Sequence, residues 1–220
     1  MNYNKYIDHT LLKQDATQDK IDILLEQAIK YDFKSVCINP SWINYCHNKL
    51  KDTNVLVCTV IGFPLGSNTL ESKVFEATDA INKGANEIDM VINIGKVIDN
   101  DYNYIVNEIK AIKNAIGTNI LKVIIETCLL TDDQIKLACK AILEAKADFV
   151  KTSTGFSKEG ANVRVVKLLK ECVQDNCLIK AAGGVKTPQD LEEMIKAGAN
   201  RIGTSSGVSL INNETNNQGY

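Results

Sequence analysis

The sequence predicts an α/β fold, a (β/α)8 TIM barrel built as one domain over residues 1–220. Three observations predict it. Eight short apolar or β-branched runs alternate with stretches of helical length and period. The phrases NKGANEID, EAKADFVK and IKAGANRIG each close a helix and turn straight into a strand, which reads as one repeated βα unit. A chain of 220 residues also suits eight such units, near the short end of the barrel's size range. A doubly wound open sheet shares the alternation, but no dinucleotide fingerprint follows the first strand, and the unit count favours closure.

The first run, YIDHT from Tyr6, puts Asp8 and Thr10 on one face, because side chains alternate across a strand. The helix after it opens at Thr17, a capping residue type, and carries Ile21, Leu24, Leu25, Ala28 and Ile29 at three- and four-residue spacing. KSVCIN from Lys34 is the second strand, with Cys37 late on it. Trp42 and Tyr45 then share one side of a helix, as core or interface residues do. VLVCTVIGF from Val55 is the third strand. In the fourth, NEIDMVINIG from Asn86, Glu87, Asp89, Val91 and Asn93 share a face; Glu87, near the strand start, is expected to face solvent.

In the fifth, LKVIIET from Leu121, Lys122, Ile124 and Glu126 share a face. TDDQIKLACKAILEAKA follows with Thr131 as cap, acids in its first turn and an apolar face through Ile135, Leu137, Ala138, Ile142 and Leu143. DFVKTS is the sixth strand, with Lys151 on the face of Phe149, and LIKAAGG the seventh, with Lys180 between Ile179 and Ala181. TPQDLEEMIKAGA is a helix capped by Thr187, opened by Pro188 and stopped by Gly198. NRIGTSS is the eighth strand. A short closing helix and a polar tail from about residue 211 complete the chain.

Composition is that of a globular protein, 45% hydrophobic and 24% charged, with a net charge of −2 and no basic cluster. That argues against nucleic acid or an anionic membrane surface as partner. No run approaches the roughly 20 apolar residues of a membrane span, and MNYNKYIDHTLL is not a signal peptide, so a cytoplasmic protein is expected. The seven cysteines form no CxxC pair, and His9 and His47 complete no zinc pattern. Reduced thiols are expected, with no structural metal and no cofactor.

Charged residues on barrel strands carry the functional reading. Helices cover the outside of a parallel barrel, so apolar faces point outward and charges can point in. Lys122, Lys151, Lys180, Asp89 and Glu126 lie on strands four to seven, towards their C-terminal ends, and must pair if buried. A second cation close to a lysine, together with desolvation, favours its free amine, and a free amine at a barrel mouth points to Schiff-base formation with a carbonyl. Either Lys151 or Lys180 fits the nucleophile's part and the other the perturber's. Asp89 is a candidate proton carrier. Glycines and hydroxyls after the last three strands (Thr152 and Gly155, Gly183 and Gly184, Gly203, Ser205 and Ser206) suit a phosphate, since glycine admits an anion close to backbone amides and barrels build such sites after strands seven and eight. Lys186 adds charge there.

The phrases IDHTLLK, SVCINP, VIGFPLG, EIDMVINIG, LKVIIETCLLT, FVKTSTGF, KAAGGVKT and RIGTSS, in this order from about Tyr6 to Ser206, resemble the deoxyribose-phosphate aldolase family. The resemblance implies a class I aldolase that reversibly cleaves 2-deoxy-D-ribose 5-phosphate to D-glyceraldehyde 3-phosphate and acetaldehyde, without metal, and suggests a homodimer. By motif it makes Lys151 the Schiff-base lysine, Lys180 its perturber and Asp89 the proton relay. Asp8, Thr10, Cys37, Lys122 and Thr152 match substrate-pocket positions. Gly155, Gly183, Gly184, Lys186, Gly203, Ser205 and Ser206 match the phosphate site, and the terminal Tyr220 a tyrosine that assists proton transfer in some members. Some members carry a basic residue after the glycine of TSTG; here it is Phe156. Other Schiff-base barrel aldolases and a non-catalytic sugar-phosphate-binding barrel are the rival readings.

Overall fold

The computed structural model describes residues 3–214. Strands β1 (Ile7–Leu11), β2 (Ser35–Ile38), β3 (Leu56–Ile61), β4 (Glu87–Val91), β5 (Ile120–Ile124), β6 (Phe149–Lys151), β7 (Leu178–Ala182) and β8 (Arg201–Thr204) pair in chain order, all parallel. β8 returns to β1, with Asp8 opposite Gly203, and closes the barrel. That pairing removes the open-sheet alternative. Around the barrel lie α1 (Gln18–Lys30), α2 (Ile43–Leu50), α3 (Leu70–Asn82), α4 (Ile94–Ile98), α5 (Tyr102–Ile116), α6 (Asp132–Glu144), α7 (Val163–Val173), α8 (Pro188–Ala197) and α9 (Gly207–Ile211). Short α9 is the abbreviated closing helix. Tyr220 lies outside the described residues.

Local chemistry sets several of these boundaries. Thr131 and Thr187 each close a reciprocal capping box, with Gln134 and Asp190, and so satisfy helix-end donors at both ends of the exchange. Gly198, at φ 120°, stops α8. Thr17 departs from expectation: it occupies the cap position of α1 in extended conformation, but its side chain accepts no bond from the helix. Ile29 is 45% exposed, so the buried face of α1 is Ile21, Leu24, Leu25 and Ala28.

Strand alternation sorts the core into two parts. Outward side chains such as Val36, Ile88, Met90, Val123, Val150, Ile179 and Ile202 pack against the helices in one continuous apolar layer with Leu25, Ile109, Ile142 and Leu169. Inside the barrel a smaller apolar group holds Leu12, Cys37, Cys58 and Val60, with Phe63 against them. Val91, Ile124, Phe149 and Ala182 are also buried on the inward faces, and charged side chains sit among them. One further buried ion pair lies outside the barrel, where Lys73 of α3 meets Glu108 of α5 at 2.7 Å. Lys73 also donates to the carbonyls of Gly66 and Val91, and Glu108 accepts from the Asn93 amide, so the pair ties two helices to the loops after β3 and β4.

Removing one partner of such a pair leaves an uncompensated buried charge. Lys73→Met is therefore expected to cost about 3–5 kcal/mol in urea unfolding, while the folded fraction keeps its activity because the pair sits behind the barrel wall.

Candidate active site

Seven side chains joined by ion pairs meet inside the barrel. At their centre is Asp89 of β4, fully buried. Its Oδ2 accepts from Lys151 Nζ at 2.7 Å and Lys180 Nζ at 2.7 Å, and its Oδ1 from Lys122 Nζ at 2.9 Å. Register brings these groups together: Lys122 stands opposite Asp89 across β4 and β5, and Lys151 opposite Lys180 across β6 and β7. Lys180 also pairs with Asp8 Oδ2 at 2.6 Å, and Lys122 with Glu87 Oε2 at 2.6 Å.

Beneath this layer lies Arg201, the first residue of β8. Its guanidinium donates to Asp8 through Nε at 2.6 Å and again through Nη2, to Glu87 at 2.8 and 3.1 Å, and to Ser35 Oγ at 3.2 Å. The ring of Phe149 lies 5.9 Å from its centre. Glu87 thus corrects the expectation of a solvent-facing strand start. It is fully buried, because β4 begins on the barrel axis where Arg201 and Lys122 both reach its carboxylate.

The charges on this cluster do not cancel. Lys122, Lys151, Lys180 and Arg201 are four cations, and Asp8, Glu87 and Asp89 are three carboxylates. Burial opposes ionisation of Asp89, but Lys122, Lys151 and Lys180 outweigh it and hold its carboxyl well below the usual range. Asp8 is lowered likewise, with burial overcome by Arg201, Lys180 and Lys122. Burial also works against the charge on Lys180, yet Asp8 and Asp89 hold that amine well above the ordinary lysine value.

Two cavities open at the C-terminal ends of the strands. A small one of about 10 Å3 is lined by Thr10, Leu12, Lys151, Thr154, Ala182, Gly183 and Gly203. Lys151 is the cluster amine that reaches it. A larger one of about 220 Å3 takes in all seven residues assigned to phosphate (Gly155, Gly183, Gly184, Lys186, Gly203, Ser205 and Ser206), and Gly183 and Gly203 belong to both. Glycine is required at position 160, where a Cβ would meet the Gly183 carbonyl at 2.4 Å; at Gly203 a Cβ would make a tight 3.0 Å contact with Lys180 Cε, the end of a flexible side chain.

Of the residues matched to the substrate pocket, Thr10 lines a cavity. Asp8, Cys37, Lys122 and Thr152 are fully buried behind its wall, and Thr152 exchanges hydrogen bonds with the Ala182 backbone. Cys37, Cys58 and Asp89 bring three possible ligand atoms within 4.8 Å of one another, a grouping that residue spacing does not reveal. Both Asp89 oxygens are nonetheless taken by ammonium groups. Glu126 accepts from the amide and hydroxyl of Thr154 and so holds the loop after β6; burial raises its carboxyl above the usual value. Phe156 packs edge-on against Phe63 at 5.3 Å, and the larger cavity gains a cation two residues further on, at Lys158, which motif reading passed over.

The family model described as DeoC/LacD family aldolase matches residues 3–214. The chain belongs to the DeoC/LacD aldolase family. This DeoC/LacD aldolase is 53% identical over 220 residues to deoxyribose-phosphate aldolase 1 of Mesoplasma florum, covering 100% of both chains. It is 54% identical over 211 residues to the deoxyribose-phosphate aldolase of Staphylococcus carnosus, covering 96% of each. Among solved structures, the tetrameric deoxyribose phosphate aldolase from Aeropyrum pernix superposes with a TM-score of 0.86 at 32% identity, over 95% of this chain and 89% of that one. Among the described residues of the DeoC/LacD chain, no helix is long and apolar enough to cross a membrane.

Carboxyls held below their ordinary values add stability that is whole above about pH 4 and drains as pH falls towards the folded values. Asp8→Asn removes one such group, so its urea-unfolding stability is expected to fall less steeply than the native protein's when measured from pH 5 down to pH 2.

Proposed function

We propose that this chain reversibly cleaves 2-deoxy-D-ribose 5-phosphate to D-glyceraldehyde 3-phosphate and acetaldehyde through a Schiff base on Lys151, in the breakdown of deoxyribose phosphate. The family resemblance extends the reading to a cytoplasmic homodimer. The observation that carries the chemistry is that Lys151 is the amine of the buried cluster that lines a cavity, and it shares its carboxylate, Asp89, with two other lysines. Lys180 and Lys122 each have a second carboxylate, Asp8 and Glu87. When the cluster's surplus proton leaves, the fewest ion pairs are lost if it leaves from Lys151. Sequence reasoning left both lysines open for the nucleophile; the pairing favours Lys151.

The free amine of Lys151 adds to the aldehyde carbon C1, and loss of water gives an iminium. That group draws electrons from the C2–C3 bond. Once the C3 hydroxyl gives its proton through water to the Asp89–Lys180 relay, the bond breaks and the triose phosphate leaves with an aldehyde at the former C3. The enamine left on Lys151 takes a proton at C2, and water hydrolyses the resulting iminium to acetaldehyde and free amine. Phosphate in the larger cavity, held by backbone amides of the glycine loops with Lys158 and Lys186, positions the reacting end at Lys151 across the shared Gly183 and Gly203.

Incubation with acetaldehyde and borohydride, followed by peptide mapping, tests the role of Lys151. The adduct is expected on Lys151 and absent from Lys151→Met; an adduct on Lys180 would reverse the two roles, and none at all would leave a binding protein. The phosphate site makes a separate claim. Lys158→Met combined with Lys186→Met is expected to raise KM for the phosphorylated sugar about tenfold, roughly 1.4 kcal/mol, and to leave KM for unphosphorylated deoxyribose within about twofold.

A further inference from the structure

Arg201 lines neither cavity, yet it is 4% exposed, and both carboxylates it binds also pair with amines of the reacting layer. It stands at the first residue of β8, opposite Lys180 in register, and Glu87 stands at the first residue of β4, two residues before Asp89 on the same face. Without Arg201 the cluster would hold three amines and three carboxylates, and every amine would have a carboxylate to justify its proton. With Arg201 the ion-paired cluster carries one cation too many; Glu126, the further acid near Lys151, bonds Thr154 rather than an amine, and burial raises its carboxyl. We propose that Arg201 and Glu87 form a charge-setting pair: the guanidinium supplies the surplus positive charge that keeps Lys151 competent to attack, and Glu87 limits that surplus to one. Arg201 is thus a positioning residue that acts through Asp8, Glu87 and the lysines above them. The proposal rests on the Schiff-base reading of Lys151.

The groups that face Lys151 are Asp89 from β4, Lys180 from β7, Cys37 from β2 and Glu126 from the loop after β5, with Lys122 of β5 joined through Asp89 and Asp8 of β1 joined through Lys180. Arg201 itself faces Asp8, Glu87, Ser35 and the ring of Phe149. Only the Arg201 and Glu87 charges change in the variants that follow, so the other groups form a constant background.

The test follows borohydride-trapped acetaldehyde on Lys151 as a function of pH, in Arg201→Met, Glu87→Gln, the double variant and Arg201→Lys. Arg201→Met is expected to move the acid limb of the trapping rate up by about one pH unit, and Glu87→Gln to move it down by about one, as for one charge removed at close range. The double variant regains the surplus and returns to within about 0.3 unit of the native limb, however much slower it is; Arg201→Lys keeps the native limb. A purely structural role lowers rates without moving the limb in opposite directions, and the double variant is then the worst of the set. Should Arg201→Met fail to fold, Glu87→Gln decides alone, since an unmoved or raised limb overturns the proposal. Failure of the native protein to form the Lys151 adduct would instead sink the Schiff-base reading first.

Discussion

Three lysine ammonium groups share the Asp89 carboxylate, and the rest of the interior is arranged around that contact. An isolated carboxylate in this place would be costly by several kcal/mol. With Lys122 on one oxygen and Lys151 and Lys180 on the other, Asp89 stays ionised and both its oxygens are used. Each lysine drawn in brings a demand of its own. Lys180 is met by Asp8, Lys122 by Glu87, and those two carboxylates by Arg201. The network closes only because the barrel does: β1 and β8 must be neighbours for Asp8 and Arg201 to meet, and β4 must lie across the axis for Glu87 to join them. Fold and charge arrangement are therefore one constraint. The outward faces of the same strands are mostly apolar, with His9, Thr59 and Thr204 as buried polar exceptions that each find a hydrogen-bond partner.

How far this was legible in the sequence depends on the range of the signal. All eight strands were readable, because each is a local apolar run bounded by turn residues, and the helix boundaries at Thr131, Thr187 and Gly198 were readable from caps within a few residues. The glycine and hydroxyl loops were readable for the same reason, and all seven residues named for phosphate line one cavity. Long-range pairing was not. Glu87 looked like a charged strand start because its partner Arg201 is 114 residues away, and no local pattern links them. Lys73 and Glu108, 35 residues apart, were invisible for the same reason: each sits in a helix whose surface reads as ordinary charge. Thr17 shows the opposite failure, a local signal with the right residue type at the right place that forms no bond. Lys158 lies two residues beyond the end of the FVKTSTGF phrase, and nothing local marks it as the cation that lines the cavity.

The division of labour between the two cavities follows from what burial does to each group. The cavity proposed for phosphate is lined by glycine loops and by exposed lysines at its rim, so a phosphate bound there would meet solvent-screened charges. The amine site is the reverse: one side chain, 2% exposed, in a space that holds about one water. A weak, open anchor suits a group that must arrive and leave charged, and a dry amine suits a step that needs an uncharged nucleophile and an unscreened carboxylate beside it. Gly203 joins the two demands at one residue. Its lack of a side chain leaves the wall shared by both cavities thin and gives Lys180 room to pass and reach Asp89. A Cβ at that position would lie 3.0 Å from Lys180 Cε and 3.2 Å from Ala182 Cβ, so those side chains would have to give by a few tenths of an ångström, and the proposed anchor and proton relay are coupled through this one position.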